Sequence, residues 1–148
     1  MKIKPTIALI LLTTSLLTQG CDYSEDVAQE IKDTTFLDSR GKEYKFLGQI
    51  PDSLRTEQQN VTIKKLLQVH REYFKVENNR FVLKLSKQEF FTKGLSDYDY
   101  NVTLQEIDGN NKYVDEYGLD ADSLNQEMIK TIDSSLKRPN IAFPNNAK

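Results

Sequence analysis

Two segments of the chain repeat apolar residues at the spacing of an α-helix, and they constrain the fold more than any other feature. The first, within residues 56–76, carries its apolar stripe at Ile63, Leu66, Leu67, His70, Tyr73 and Phe74. The second, within residues 120–138, carries it at Leu124, Met128, Ile129, Ile132 and Leu136. Such a stripe has to be buried against a neighbouring element. The sequence therefore predicts two amphipathic helices that share a core.

Capping patterns mark where these helices begin. A Ser or Thr followed three residues later by Glu or Gln is typical of a capping box, in which each side chain bonds the other's backbone N–H. Thr56 with Gln59 and Ser86 with Glu89 have this spacing, the second ahead of a short helix that ends at Gly94. For the last helix, the expected cap is Asp120 or Asp122.

Residues 97–108 fit two kinds of element. Their apolar and aromatic residues alternate as in a strand, at Tyr98, Tyr100, Val102 and Leu104. Ser96 followed by Asp99 is a helix-start pattern, and it favours a helix here.

Strand patterns flank the first helix. Residues 35–37 and 44–47 are strand-like, and the Asp-Ser-Arg-Gly turn between them predicts a hairpin. Phe81, Leu83 and Leu85 alternate along a further strand. Together these elements predict an α+β fold, with a small antiparallel sheet of about three strands, a hairpin plus one, packed with three to four helices.

The amino-terminal segment has the composition of a secretory signal. Lys2 and Lys4 precede an apolar run from Ile7 to Leu17, and small or polar residues follow. A helix that spans a bilayer needs about 20 apolar residues, which this run does not reach. The pattern therefore favours a cleaved signal peptide over a transmembrane helix.

The end of that run, Leu17-Thr18-Gln19-Gly20-Cys21, resembles the lipobox of bacterial lipoproteins, and Cys21 is the single cysteine of the chain. The resemblance implies that residues 1–20 are removed and that acyl chains on Cys21 attach the protein to a membrane of the bacterial cell envelope. It leaves inner and outer membrane, and periplasm and cell surface, undecided. The domain organisation that follows is a signal peptide (1–20), a lipidated cysteine and tether (21–33), one α+β domain (34–138) and a C-terminal tail (139–148).

Charge is distributed unevenly along the chain. Residues 53–95 carry nine basic and four acidic side chains, whereas residues 96–134 carry ten acidic and two basic ones. The two segments either pack side by side and offset each other, or leave an acidic surface that attracts a partner with a basic surface. No strongly basic face indicates nucleic-acid binding.

The sequence indicates no catalytic or metal site. His70 is the single histidine, and no nucleophile or orienting carboxylate can be assigned to it, so a half-buried structural histidine is the simpler interpretation. Asp97, Asp99 and Asn101 have the first spacings of a calcium loop, but Val102 and Asp108 replace the glycine and glutamate that the loop requires. We expect no cofactor and no enzyme activity.

Tyrosines set among acidic residues are the best candidate binding surface. Tyrosine contributes large contact area and is enriched in protein interfaces. The candidate residues are Asp97, Tyr98, Asp99, Tyr100, Tyr113, Tyr117, Asp120 and Asp122. The leading hypothesis is a lipid-anchored protein-binding module, either an inhibitor or immunity-type protein or an accessory subunit of an envelope machine. A small-ligand or glycan-binding module and a hydrolase that uses carboxylates are the alternatives.

Overall fold

The computed structural model describes residues 31–138. Cys21, the predicted signal peptide and the predicted C-terminal tail lie outside these residues. The strands are β1 (Phe36–Leu37), β2 (Glu43–Tyr44), β3 (Phe74–Glu77) and β4 (Arg80–Leu83). The main helices are α1 (Glu57–Tyr73), α2 (Lys87–Thr92), α3 (Asp97–Tyr117) and α4 (Ala121–Leu136). Residues 31–33 are also helical, and 3₁₀ turns cover Leu47–Gln49 and Asp52–Leu54.

The α+β class predicted from the sequence is confirmed, but the strands are arranged differently from the expected sheet of about three. They form two separate antiparallel hairpins, β1–β2 and β3–β4. In the second, Phe74 pairs with Leu83 and Glu77 pairs with Arg80. The helical spacing of the first stripe extends to Phe74, yet α1 ends at Tyr73 and Phe74 takes an extended conformation. Pairing with β4 thus outweighs the helical pattern at this position.

The predicted helix starts are confirmed. Capping boxes formed by Thr56 with Gln59 and by Ser86 with Glu89 open α1 and α2. Residues 97–108 are helical, and the Ser96 cap opens the 21-residue helix α3. Each cap satisfies backbone N–H groups that the first helical turn leaves unpaired. The residues that start a helix are therefore close together in the chain, and the sequence alone identifies them.

Most of the buried apolar side chains among the described residues belong to two groups. One joins the β3–β4 hairpin to α3 and α4, through Phe74, Phe81, Ile107, Val114 and Ala121. The other joins α1 to α2 and the start of α3, through Val69, Leu85, Phe90 and Leu95. Leu83 packs against both groups, so the second hairpin lies at the centre of the fold. Among the described residues, no helix combines the length and apolar character needed to cross a membrane.

Candidate functional site

The carboxyl end of α3 exposes two tyrosines. Tyr113 and Tyr117 lie one helical turn apart, with 40% and 59% of their surface exposed. Their ring centroids are 4.7 Å apart at an interplanar angle of 48°. Because the rings contact each other, they present a continuous aromatic surface to solvent.

Acidic side chains lie on the last turn of α3 and at the start of α4. Glu116 and Asp122 are exposed, on the last turn of α3 and the first turn of α4. Asp115 is paired with Arg80 at 2.8 Å. Asp120 is the N-cap of α4, and hydrogen bonds from the Ser123 hydroxyl and backbone N–H hold the pKa of its carboxyl below the usual value. We call Tyr113, Glu116, Tyr117 and Asp122 the α3–α4 surface.

The tyrosines predicted at the start of α3 serve the packing of the fold. The ring of Tyr98 lies 5.4 Å from that of Phe36, and its hydroxyl donates to the Lys45 carbonyl at 3.3 Å. Tyr100 packs edge-on against the buried ring of Phe90, with 5.2 Å between centroids. Both side chains therefore connect α3 to neighbouring elements.

The two acidic residues beside them also have structural partners. Asp99 accepts hydrogen bonds from the hydroxyl and the backbone N–H of Ser96. Asp97 forms an ion pair with Lys87 at 2.5 Å. Residues 97–100 and 113–117 are separated by about 20 Å along the helix axis. Of the eight candidate residues, the four at the start of α3 and the cap residue Asp120 therefore have structural partners within the fold. The remaining exposed candidates are Tyr113, Tyr117 and Asp122.

A second cluster joins α1 to α3 inside the molecule. His70 Nε2 lies 3.5 Å from Glu106 Oε2, and the imidazole stacks on the Phe74 ring at 4.2 Å. His70 is 4% exposed, and neither of its ring nitrogens has a hydrogen-bond partner among the described residues. The Glu106 side chain retains 17% of its exposure. The sequence carries no motif that connects these two residues.

Burial moves the two pKa values in opposite directions. It lowers the pKa of His70 from 6.5 to about 4 and raises the pKa of Glu106 from 4.5 to about 8. In each case removal from water disfavours the charged form. A catalytic acid or base must also reach its substrate, and the imidazole is enclosed. The pair therefore has the chemistry of a proton-binding site, whereas the α3–α4 surface combines aromatic and acidic groups that a partner can reach.

No group of three or more His, Cys, Asp or Glu side chains within residues 31–138 is placed to hold a metal ion. Comparisons with known protein families, with curated proteins and with solved structures find no match to this chain.

Proposed function

We propose that this chain is a lipid-anchored bacterial envelope protein that binds another protein through the α3–α4 surface. Within that class, an inhibitor or immunity-type protein and an accessory subunit of an envelope machine both fit. The observation that carries the proposal is the exposed contact between Tyr113 and Tyr117. Two large aromatic rings that face solvent together are typical of contact surfaces, where they bury much area at a low entropy cost.

The charge around the tyrosines supports a partner with a basic surface. Glu116 and Asp122 are exposed and take part in none of the ion pairs formed within residues 31–138. Their charge is therefore available to accelerate association with a cationic partner and to select against an acidic one. Arg and Lys side chains of such a partner can also pack on the tyrosine rings.

Acyl chains on Cys21 would keep the protein at the surface of a membrane. Two or three acyl chains hold a protein on a bilayer where a single chain binds only reversibly. The residues between Cys21 and the folded domain then act as the tether to the bilayer. An anchored protein stays close to envelope partners, and this closeness raises its effective concentration toward them.

Site-specific photo-crosslinking in living cells tests the proposed surface. A photoreactive amino acid replaces Tyr113 or Tyr117, and control variants carry it at Val61 or Phe91, which are 38% and 40% exposed. We expect one product of the same mass from both tyrosine positions and none of that mass from the controls. If positions 113 and 117 capture nothing, or if all four positions capture the same products, the proposal is wrong.

The charge contribution is tested on the partner that crosslinking identifies. We expect Glu116→Gln combined with Asp122→Asn to slow association about 2- to 10-fold and to reduce its dependence on salt, because exposed charges act mainly on the association rate. Asp97→Asn is the matched control, since Asp97 lies at the other end of α3. An equal effect of both changes would exclude the α3–α4 surface as the source of the attraction.

A further inference from the structure

We propose that His70 and Glu106 form a proton-operated latch: the pair holds one proton while α3 is docked on α1, and release of that proton loosens the contact. The latch lies apart from the α3–α4 surface and does not depend on protein binding. Its geometry is the direct approach of two titratable side chains, 3.5 Å apart, from different helices. Both are largely withdrawn from water.

When His70 and Glu106 together hold one titratable proton, the pair carries no net charge. A neutral imidazole beside a carboxylic acid and an imidazolium beside a carboxylate contain the same number of protons. Removing that proton to solvent leaves a carboxylate facing a neutral ring, and adding a second leaves a buried imidazolium. Either uncompensated charge is costly at a buried position, and movement of the helix that readmits water relieves the cost.

The ion pairs of the surrounding elements do not involve His70 or Glu106. On α1, Arg71 turns outward to Asp133 of α4. The facing group from α3 is Glu106, and the facing group from β3 is the uncharged ring of Phe74. Further ion pairs formed by β3, β4, α2 and α3 are Lys84–Glu77, Arg80–Asp115, Lys87–Asp97 and Lys112–Asp108. Burial is the cause of the pKa shifts of both His70 and Glu106.

The pH range of the latch follows from proton counting. The raised pKa of Glu106 gives stability that is fully present below pH 4.5 and is lost as the pH rises through about 8. The lowered pKa of His70 gives stability that is present above pH 6.5 and is lost as the pH falls through about 4. Between 4.5 and 6.5 the folded and unfolded chains each hold one proton, so the two dependences cancel. Above 6.5 the folded chain holds the extra proton, and alkaline conditions favour opening.

Urea unfolding between pH 6.5 and 8 tests the proton count in the full chain. We expect the folding equilibrium constant of the wild type to fall about 10-fold per pH unit, or about 30-fold in total. In Glu106→Gln, which keeps the shape but carries no titrating proton, that decrease should disappear. Glu116→Gln, an exposed change on the same helix, should keep it. An unchanged slope in Glu106→Gln would overturn the proposal.

Hydrogen exchange separates a moving latch from a general loss of stability. We expect the protection of α3 amides around Glu106, relative to amides of the β1–β2 hairpin, to decrease from pH 6.5 to 8.5 in the wild type and to stay constant in Glu106→Gln. The His70 ring signals should show a step near pH 8 in NMR spectra of the wild type only. Equal changes in α3 and the hairpin, or a His70 ring that does not sense pH 8, would show that no latch exists.

Discussion

Asn111 shows how one buried polar side chain can complete a hairpin. Its Oδ1 accepts a hydrogen bond from the Phe81 N–H at 2.7 Å, and its Nδ2 donates to the Phe81 carbonyl at 3.0 Å. β4 has β3 on one side, and on the other the Asn111 amide takes the place of a further strand. The two bonds satisfy backbone groups that would otherwise be buried without partners.

Replacing Asn111 by Ala should therefore destabilise the fold by about 2–4 kcal/mol, because two buried backbone groups lose their partners. Urea denaturation of the purified domain measures the loss. Asn110→Ala, one position earlier on α3, is the control and should cost less than about 1 kcal/mol. Equal costs for the two changes would show that the amide bonds to Phe81 contribute little.

The β3–β4 turn connects the second hairpin to the α3–α4 turn. Asn78 and Asn79 both have positive φ values, 50° and 59°, the combination found in tight two-residue hairpin turns. The Asn79 side chain also donates to the Leu119 carbonyl at 3.0 Å and accepts from the Ala121 N–H at 2.8 Å. It therefore holds the start of α4 in place beside the exposed tyrosines.

Glycine substitutions separate these two roles of the turn. Asn78→Gly and Asn79→Gly both keep a residue that tolerates positive φ, but only the second removes the bonds to Leu119 and Ala121. We expect Asn79→Gly to be less stable than Asn78→Gly by about 1–3 kcal/mol. Thermal unfolding of both variants and the wild type gives the comparison. If the two variants unfold at the same temperature, Asn79 stabilises the fold only through the conformation of the turn.

For the whole molecule, ion pairs join the basic and acidic segments of the chain. Arg71 contacts Asp133, Arg80 contacts Asp115 and Lys87 contacts Asp97. These contacts support the interpretation that the segments pack together and offset part of each other's charge. All three pairs are partly exposed, so each contributes about 0–1 kcal/mol. The acidic side chains left exposed at the α3–α4 surface support the other interpretation, an acidic surface that attracts a basic partner. The two interpretations therefore apply to different residues.

Acyl chains on Cys21 would determine where the whole domain is held. We expect Cys21→Ser to move the protein from the membrane fraction to the soluble fraction, since serine offers no thiol for acylation. Mass spectrometry of the wild type should find a mature amino terminus at Cys21 with attached acyl chains. Thr18→Leu keeps the cysteine and is the control that should remain in the membrane fraction. A wild-type protein with residues 1–20 still present, or with a free thiol at Cys21, would contradict the proposal.

The α+β class, the amphipathic helices and the residues that open α1, α2 and α3 could all be predicted from the sequence alone. These features depend on interactions within about four residues, which spacing records directly. The pairing of Phe74 with Leu83, the meeting of His70 with Glu106, and the division of the candidate site into packed and exposed tyrosines depend on tertiary structure. Its contacts join residues far apart in the chain, 30 residues for Phe81 with Asn111 and 62 for Arg71 with Asp133. Such contacts depend on how complete elements pack, and no local pattern specifies them.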